Sequence, residues 1–416
     1  MVLAFLATEL SAFAETDESI PVTGDAVPGL ESLDMMMFSF VREHQVPGAS
    51  IAVTKDGRLV YARGFGFADR EQQLSVQPDS LFRIASISKP VTAAAVLKLV
   101  EDGKLALDTK IFPFLGLDKL ALADPRLNQI TIQHLLNHSG GWDSARTFDP
   151  MFRPIEIAKE QRVNPPAKPW DIARYMAVRK LDFDPGSRYV YSNFGYSLLG
   201  LAIEKAALCP YDQYVQDAIL NPLKIKGMRL GRTLPGDRAE KEVRYYDGQT
   251  KPTGKAVVGR PLGRDVPLPY GAWCLESMDS HGGWIASTVD MVRFAAAFDD
   301  SKQCPILNPR SVMTMFACPE GTPGHTDAGK PRDAYYACGW MVRPLNGDRS
   351  NQWHNGALDG TSTLLVRRWD GLDWAVFFNA RKDTKGEELA AAVDALVHQA
   401  VDKVKAWPSG GLISKY

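Results

Sequence analysis

The sequence predicts an α+β fold: one antiparallel sheet built from both chain ends, flanked by terminal helices, with a mostly helical region inserted between. Three observations predict it. Near each end, two strand-like apolar runs flank an Asp-Gly pair, Asp56-Gly57 and Asp370-Gly371, and Asp-Gly between such runs signals a hairpin. A helical pattern precedes the first hairpin, and another follows the second. Helix patterns and Pro/Gly-rich loops fill the middle of the chain.

The elements follow in order. Residues 1–14 are mostly apolar and end Ala12-Phe13-Ala14, like the tail of a secretory signal, although no Lys or Arg precedes the run. Export is the expectation, and a cytosolic protein with a disordered leader is the alternative. Residues 15–28, acidic with Pro and Gly, read as a linker. One domain is expected over 29–405, with an α/β part at 29–85 and 282–405, a helical part at 86–281, and a tail at 406–416. A helix from Leu30 to His44 carries Leu33, Met36, Met37, Phe40 and Val41 on one side. Strands at 50–54 and 58–64 come next. A helix from Ser86 to Asp102 runs into Gly103, where a helix would stop. Shorter helices are expected at 131–137 and 171–179, then longer ones at 193–207 and 288–298. Residues 230–275 read as a long irregular excursion. The second hairpin pairs 363–369 with 374–379, and an amphipathic helix at 387–404 closes the chain.

Composition narrows the function classes. The net charge is -1 and no long run of one sign occurs, so nothing points to nucleic acid or an anionic membrane. No stretch approaches the roughly 18 uninterrupted apolar residues of a membrane span. The five cysteines are too few for a disulfide scaffold and odd in number. Cys304, Cys318 and Cys338 lie close enough in sequence to permit one bridge, and small buried thiols are the plainer expectation.

Three short motifs carry chemistry. Ser86-Ile87-Ser88-Lys89 opens the first long helix, and residues three apart share a helical face, so the Ser86 hydroxyl and Lys89 amine can meet. A serine hydroxyl needs a base, and a lysine serves only if its pKa is lowered. Taken alone, the pattern also fits a helix-capping Ser beside a solvated Lys. Tyr191-Ser192-Asn193 follows the turn Asp184-Pro185-Gly186 and precedes a helix. There Tyr191 can relay a proton while Asn193 orients Lys89 or a substrate amide. His354-Asn355-Gly356-Ala357 is the third. Its [HK]-x-G pattern recurs at Lys55–Gly57, His138–Gly140 and His281–Gly283, but only the 354 copy leads into the C-terminal strands. Gly356 would let a substrate approach the backbone closely.

In that order these motifs resemble the serine β-lactamase and penicillin-binding-protein family, in particular its class C-like branch of D-alanyl carboxypeptidases, D-aminopeptidases and carboxylesterases. Phe82 to Ala85, Leu99 to Leu105, Ile130 to His138 and Gly282 to Thr288 add to the likeness, which covers roughly residues 30 to 400. The resemblance implies a β-lactamase/transpeptidase-like fold and a catalytic domain without metal or organic cofactor. It implies Ser86 as nucleophile, Lys89 as its activating amine, Tyr191 as general acid or base, and Asn193 as substrate-contacting amide. Backbone N–H groups of Ser86 and Ala357 would hold the oxyanion, where losing one donor costs about 10² to 10³ in rate. Whether Lys89 or Tyr191 takes the first proton stays open here. Where class C β-lactamases carry a Lys in the third motif, this chain has His354, largely neutral at pH 7. The expectation is hydrolysis of small esters or D-amino-acyl amides, with slow or absent β-lactam turnover.

Other readings are weaker. No G-x-S-x-G of an α/β-hydrolase occurs; Gly195 to Gly200 misses by one position. Gly324 to Lys330 imitates a P-loop, but Pro331 stands where Ser or Thr is required. His134 and His138 have chelating spacing without the Glu of a zincin, and Trp142, Trp284 and Trp353 are cleft or core aromatics. A non-catalytic sensor that acylates and stays acylated is the rival of another class.

Overall fold

A computed structural model describes residues 20–247, 252–347 and 349–412 of the chain. The main sheet contains β1 (Val22–Thr23), β2 (Gly48–Lys55), β3 (Arg58–Asp69), β4 (Leu74–Ser75), β10 (Tyr335–Tyr336), β11 (Met341–Pro344), β12 (Ser350–Leu358), β13 (Thr361–Arg368) and β14 (Leu372–Phe378). The order is β1-β3-β2-β14-β13-β12-β11-β10, with β4 paired to β3, and every pairing is antiparallel. The seam between the chain ends is β14 on β2, where Phe378 faces Ala49 and Leu372 faces Lys55.

The sheet is buried on both faces, and side-chain alternation divides it between two cores. Val376, Phe378, Ile51 and Val53 join the layer of α1 (Glu31–Glu43) and α5 (Leu389–Asp402). Ala375, Phe377 and Ala52 join the larger core beneath α2 (Ser88–Glu101), α3 (Asn193–Ala207) and α4 (Thr288–Ala296). Helix α2 is buried along almost its whole length, from Ser88 to Leu99. The terminal helices thus cover one face as expected, and α4 packs on the other, with α2 and α3 of the inserted region beyond it in the same core.

Two smaller sheets lie apart from the main one. One pairs β5 (Phe82–Arg83) and β6 (Arg229–Leu230) with β9 (Trp284–Ala286). The other is a ribbon of β7 (Thr253–Lys255) and β8 (Asp265–Pro267) within the irregular 230–275 excursion. Arg83, with 0% exposure, knits that excursion to the sheet: its guanidinium donates to the carbonyls of Arg232, Thr233 and Pro269 at 2.8, 3.1 and 2.6 Å. Glu242 lies 3.8 Å from its Nε, and the ring of Tyr245 stacks at 4.2 Å.

Several expectations change. Within the 15–28 linker, Val22 and Thr23 form an edge strand on Phe65 and Gly64. Within the 406–416 tail, Trp407 packs on the terminal-helix core and the Leu412 N–H donates to Leu59 O at 2.8 Å. The third motif does not merely lead into strands. It is itself part of β12, a strand whose alternating polar residues hid it. The first motif starts as a 3₁₀ turn, Ala85–Ile87, before α2 proper. All five cysteines are free thiols. The leader reading of 1–14 lies outside the described residues.

Phe377 has 0% exposure and meets Phe82 edge-on at 6.0 Å, linking the seam to the segment before Ser86. Phe377→Ala is expected to cost about 3–5 kcal/mol, read as a lower urea midpoint at unchanged slope.

Candidate active site

Ser86 sits in the middle of the 3₁₀ turn, half-buried, with Ala85 before it at φ +47°. That left-handed value is strained for a residue with a Cβ and persists only where the surroundings dictate it. Here they do. Thr361 and Thr363 donate their hydroxyls to the carbonyls of Arg83 and Ile84 at 2.9 and 3.0 Å, and the Ile84 N–H donates to Trp284 O at 3.0 Å. Strand β12 crosses the turn at Gly356. A Cβ there would meet Ile84 O at 2.3 Å, so this close approach needs glycine. Beyond Trp353, β12 loses its β11 partner and pairs with β13 alone. From His354 to Leu358, alternate backbone groups therefore face away from β13.

Lys89 lies one helical turn after Ser86 with 0% exposure. Its Nζ is 3.1 Å from Ser86 Oγ, 2.9 Å from Asn193 Oδ1 and 2.8 Å from the His281 carbonyl. Burial holds its pKa well below the ordinary lysine value, against an upward pull from Asp149. A neutral amine has two N–H donors and one lone pair. Asn193 Oδ1 and His281 O can only accept, so they take both donors, and the lone pair is left for the Ser86 hydroxyl. Pro90 follows at no cost, because its missing N–H falls in the first turn of α2.

Tyr191 completes the group, its hydroxyl donating to Ser86 Oγ at 2.8 Å. Burial pushes its pKa far up, so the phenol keeps its proton at rest. The loop that presents it is clamped by His138: the Val190 N–H donates to His138 O at 2.8 Å and the Ser192 N–H to His138 Nδ1 at 3.2 Å. The Ser192 hydroxyl then caps α3, accepting from the Gly195 N–H at 3.2 Å. Asn193 spans Lys89 and Asp149, its Nδ2 donating to Asp149 Oδ2 at 2.7 Å. His354 is buried, with Nε2 2.9 Å from the Tyr336 hydroxyl and Nδ1 2.7 Å from Asn355 O. Burial, reinforced by Lys89, lowers its pKa to about 3.

Ser86, Lys89, Tyr191 and Asn193 are thus joined by hydrogen bonds, the His354 ring lies 6.5 Å from that of Tyr191, and Gly356 packs on the residues just before Ser86, with Ala357 next to it on β12. Sequence reasoning missed Asp149, Tyr336 and the His281 carbonyl. Two [HK]-x-G copies set aside earlier also belong here, since His281 supplies that carbonyl and His138 packs 4.3 Å from the Tyr191 ring. The useful signal was that repeated pattern. Nothing marked Asp149 except the helix-start pair Asp149-Pro150. His134 is turned to its own helix cap at Thr131 rather than toward His138. Trp284 and Trp142 are core residues, against Tyr211 and Phe194, and Trp353 packs on the terminal-helix core. Gly324 to Lys330 forms turns with no helix behind it.

Comparison with known proteins finds relatives in sequence and in fold. Esterase EstB of Burkholderia gladioli is 33% identical over 260 residues, covering 59% of this chain and 61% of that protein. Protein flp of Staphylococcus aureus strain MW2 is 25% identical over 336 residues, 81% of this chain and 60% of that one. The chain thus spans about three fifths of these curated relatives. Among solved structures, the D-amino acid amidase of Ochrobactrum anthropi SV3 with D-phenylalanine shares the fold at TM-score 0.67 and 22% identity, over 90% of this chain and 99% of that one. EstCE1, a hydrolase with promiscuous acyltransferase activity, does so at TM-score 0.68 and 19% identity, over 91% and 99%. The family model described as Beta-lactamase matches residues 33–399, and the chain belongs to that family.

Proposed function

We propose that the protein is a serine hydrolase that cleaves small esters through an acyl-Ser86 intermediate. One observation carries the reading: a fully buried Lys89 between two obligate acceptors, with its lone pair left for Ser86. Lys89 then takes the Ser86 proton as Oγ attacks the ester carbonyl, and the Tyr191 phenol gives its proton to the departing alcohol. The resulting phenolate sits beside the Lys89 ammonium. In the second half it takes a proton from the attacking water, while Lys89 returns its proton to Ser86 Oγ. The backbone N–H groups of Ser86 and Ala357 serve as oxyanion donors, a role supported by β12 crossing the Ser86 turn beyond its β11 partner.

Neutral His354 supports the ester reading over β-lactams. At pH 7 it offers no cation for a substrate carboxylate, unlike a Lys at the same place. The relation to an esterase at 33% identity points the same way.

Purified protein should turn over p-nitrophenyl acetate and butyrate, and Ser86→Ala should lose this activity while keeping its melting temperature. Equal activity in both proteins would overturn the nucleophile assignment. A lasting mass adduct on Ser86 without turnover would replace the hydrolase by a sensor. Because Lys89 must be neutral to act, kcat/KM should rise with pH through its lowered pKa and then level. Lys89→Arg, a cation that cannot give up its proton, should lose about 10²-fold or more.

Stability should fall in acid. His138, His281 and His354 are held neutral by burial, with pKa values below the ordinary histidine value. The unfolded chain binds those protons first. The stabilisation is whole above about pH 6.5 and is lost as pH falls toward the folded values. Thermal melts from pH 8 to pH 4 should show this decline, and His354→Gln should lessen it.

A further inference from the structure

Asn193 stands between Lys89 and a carboxylate that the three motifs leave out. A primary amide can face either way, one end accepting and the other donating. With Oδ1 toward Lys89 it takes one of the amine's N–H groups. Reversed, it would aim an N–H at the lysine lone pair and compete with Ser86 for it. Nothing in Asn193 or Lys89 alone chooses between these orientations, but Asp149 does. Its Oδ2 accepts from Asn193 Nδ2 at 2.7 Å, and an ionised carboxylate has no donor to offer the other end of the amide. Its Oδ1 accepts from the Met151 N–H at 3.0 Å, which holds the carboxylate at the start of the turn Pro150–Phe152. The chain of contacts runs Asp149, Asn193, Lys89, Ser86, at 2.7, 2.9 and 3.1 Å.

We propose that Asp149 is a positioning residue for nucleophile activation, fixing the Asn193 amide so that the lone pair of Lys89 stays on Ser86. This rests on the reading of Ser86 and Lys89 given above. Asp149 also acts on Lys89 through its charge. The other titratable groups facing the amine are His138, His281, His354, Tyr191 and Tyr196. Burial keeps those imidazoles and phenols uncharged; it also raises the pKa of Asp149, against the pull of Asn193, the Met151 N–H and Lys89, and among the described residues it is the Asp149 carboxylate that opposes the desolvation of Lys89. Orientation and charge therefore have separable consequences. Losing the orientation lowers the limiting acylation rate, and losing the charge lets Lys89 give up its proton at lower pH.

The test compares the full chain with Asp149→Asn and the swap Asp149→Asn/Asn193→Asp. Single-turnover acylation by p-nitrophenyl butyrate is followed from pH 5 to 10, and the ¹³Cε signal of Lys89 is titrated by NMR without substrate. Asp149→Asn should lower the limiting rate about 10- to 100-fold with little change in KM. Its acid limb and the Lys89 signal should both move down by on the order of half a pH unit or more. The swap restores a donor facing an acceptor but places the carboxylate directly on Lys89, so both should move above the wild type. A folded Asp149→Asn protein with an unmoved limb and unmoved lysine signal overturns the proposal. So does a rate lost only in step with the melting temperature. If the wild type neither acylates nor turns over while the lysine signal still shifts in Asp149→Asn, the hydrolase reading and the positioning role both fail and only the charge coupling of Asp149 to Lys89 stands.

Discussion

Removing Lys89 from water is the constraint on which the rest of the site depends. An ammonium in a dry interior is costly, so burial favours the neutral amine that a base must be. Burial on this scale needs cover from many directions. Helix α2 supplies it by sinking into the larger core, and the 281 carbonyl and the Asn193 amide close over the amine with polar atoms of one kind. The same dryness keeps Tyr191 protonated and His354 neutral, so one act of desolvation sets the resting proton on each group. The groups differ in direction because burial disfavours the charged form of each: amine, imidazole and phenol alike.

The antiparallel sheet is what makes that burial possible. With β14 paired to β2, the two chain ends become one surface, and helical layers cover both of its faces. The Ser86 turn lies where this sheet meets the small β5–β9–β6 sheet. Two threonines of β13 grip the carbonyls of the residues just before Ser86, and Gly356 lets β12 pass close by. The strained Ala85 is thus held by long-range partners rather than by its own sequence neighbours.

Much of this was legible before any coordinates. Both hairpins announced themselves through Asp-Gly and alternating apolar runs, and the longer helices through their period. Helix geometry and turn chemistry allowed Ser86, Lys89, Tyr191 and Asn193 to meet, and the resemblance of the three ordered motifs to a known family is what singled them out. Strand β12 was not, since Ser350 to Ala357 mixes Asn, Gln, His and Trp in a pattern that resembles a loop. Its strand character comes from pairing with β13, which no local reading can see. Asp149 and Tyr336 stayed hidden for the same reason: each matters through a partner more than 15 residues away. The His281 carbonyl was hidden differently, because a backbone acceptor leaves no mark on residue type.

Arg83 carries a consequence of another kind. Three carbonyls of the 230–275 excursion close on one guanidinium, three positions before Ser86. The excursion is therefore pinned at 232–233, at 241–246 and at 269, and the β7–β8 ribbon lies between the last two of these. A change at the pins bears directly on Arg83, whereas the ribbon reaches it only through the segment at 268–272. Sequence change in the ribbon is therefore expected to disturb the Ser86 turn less than change at the pins.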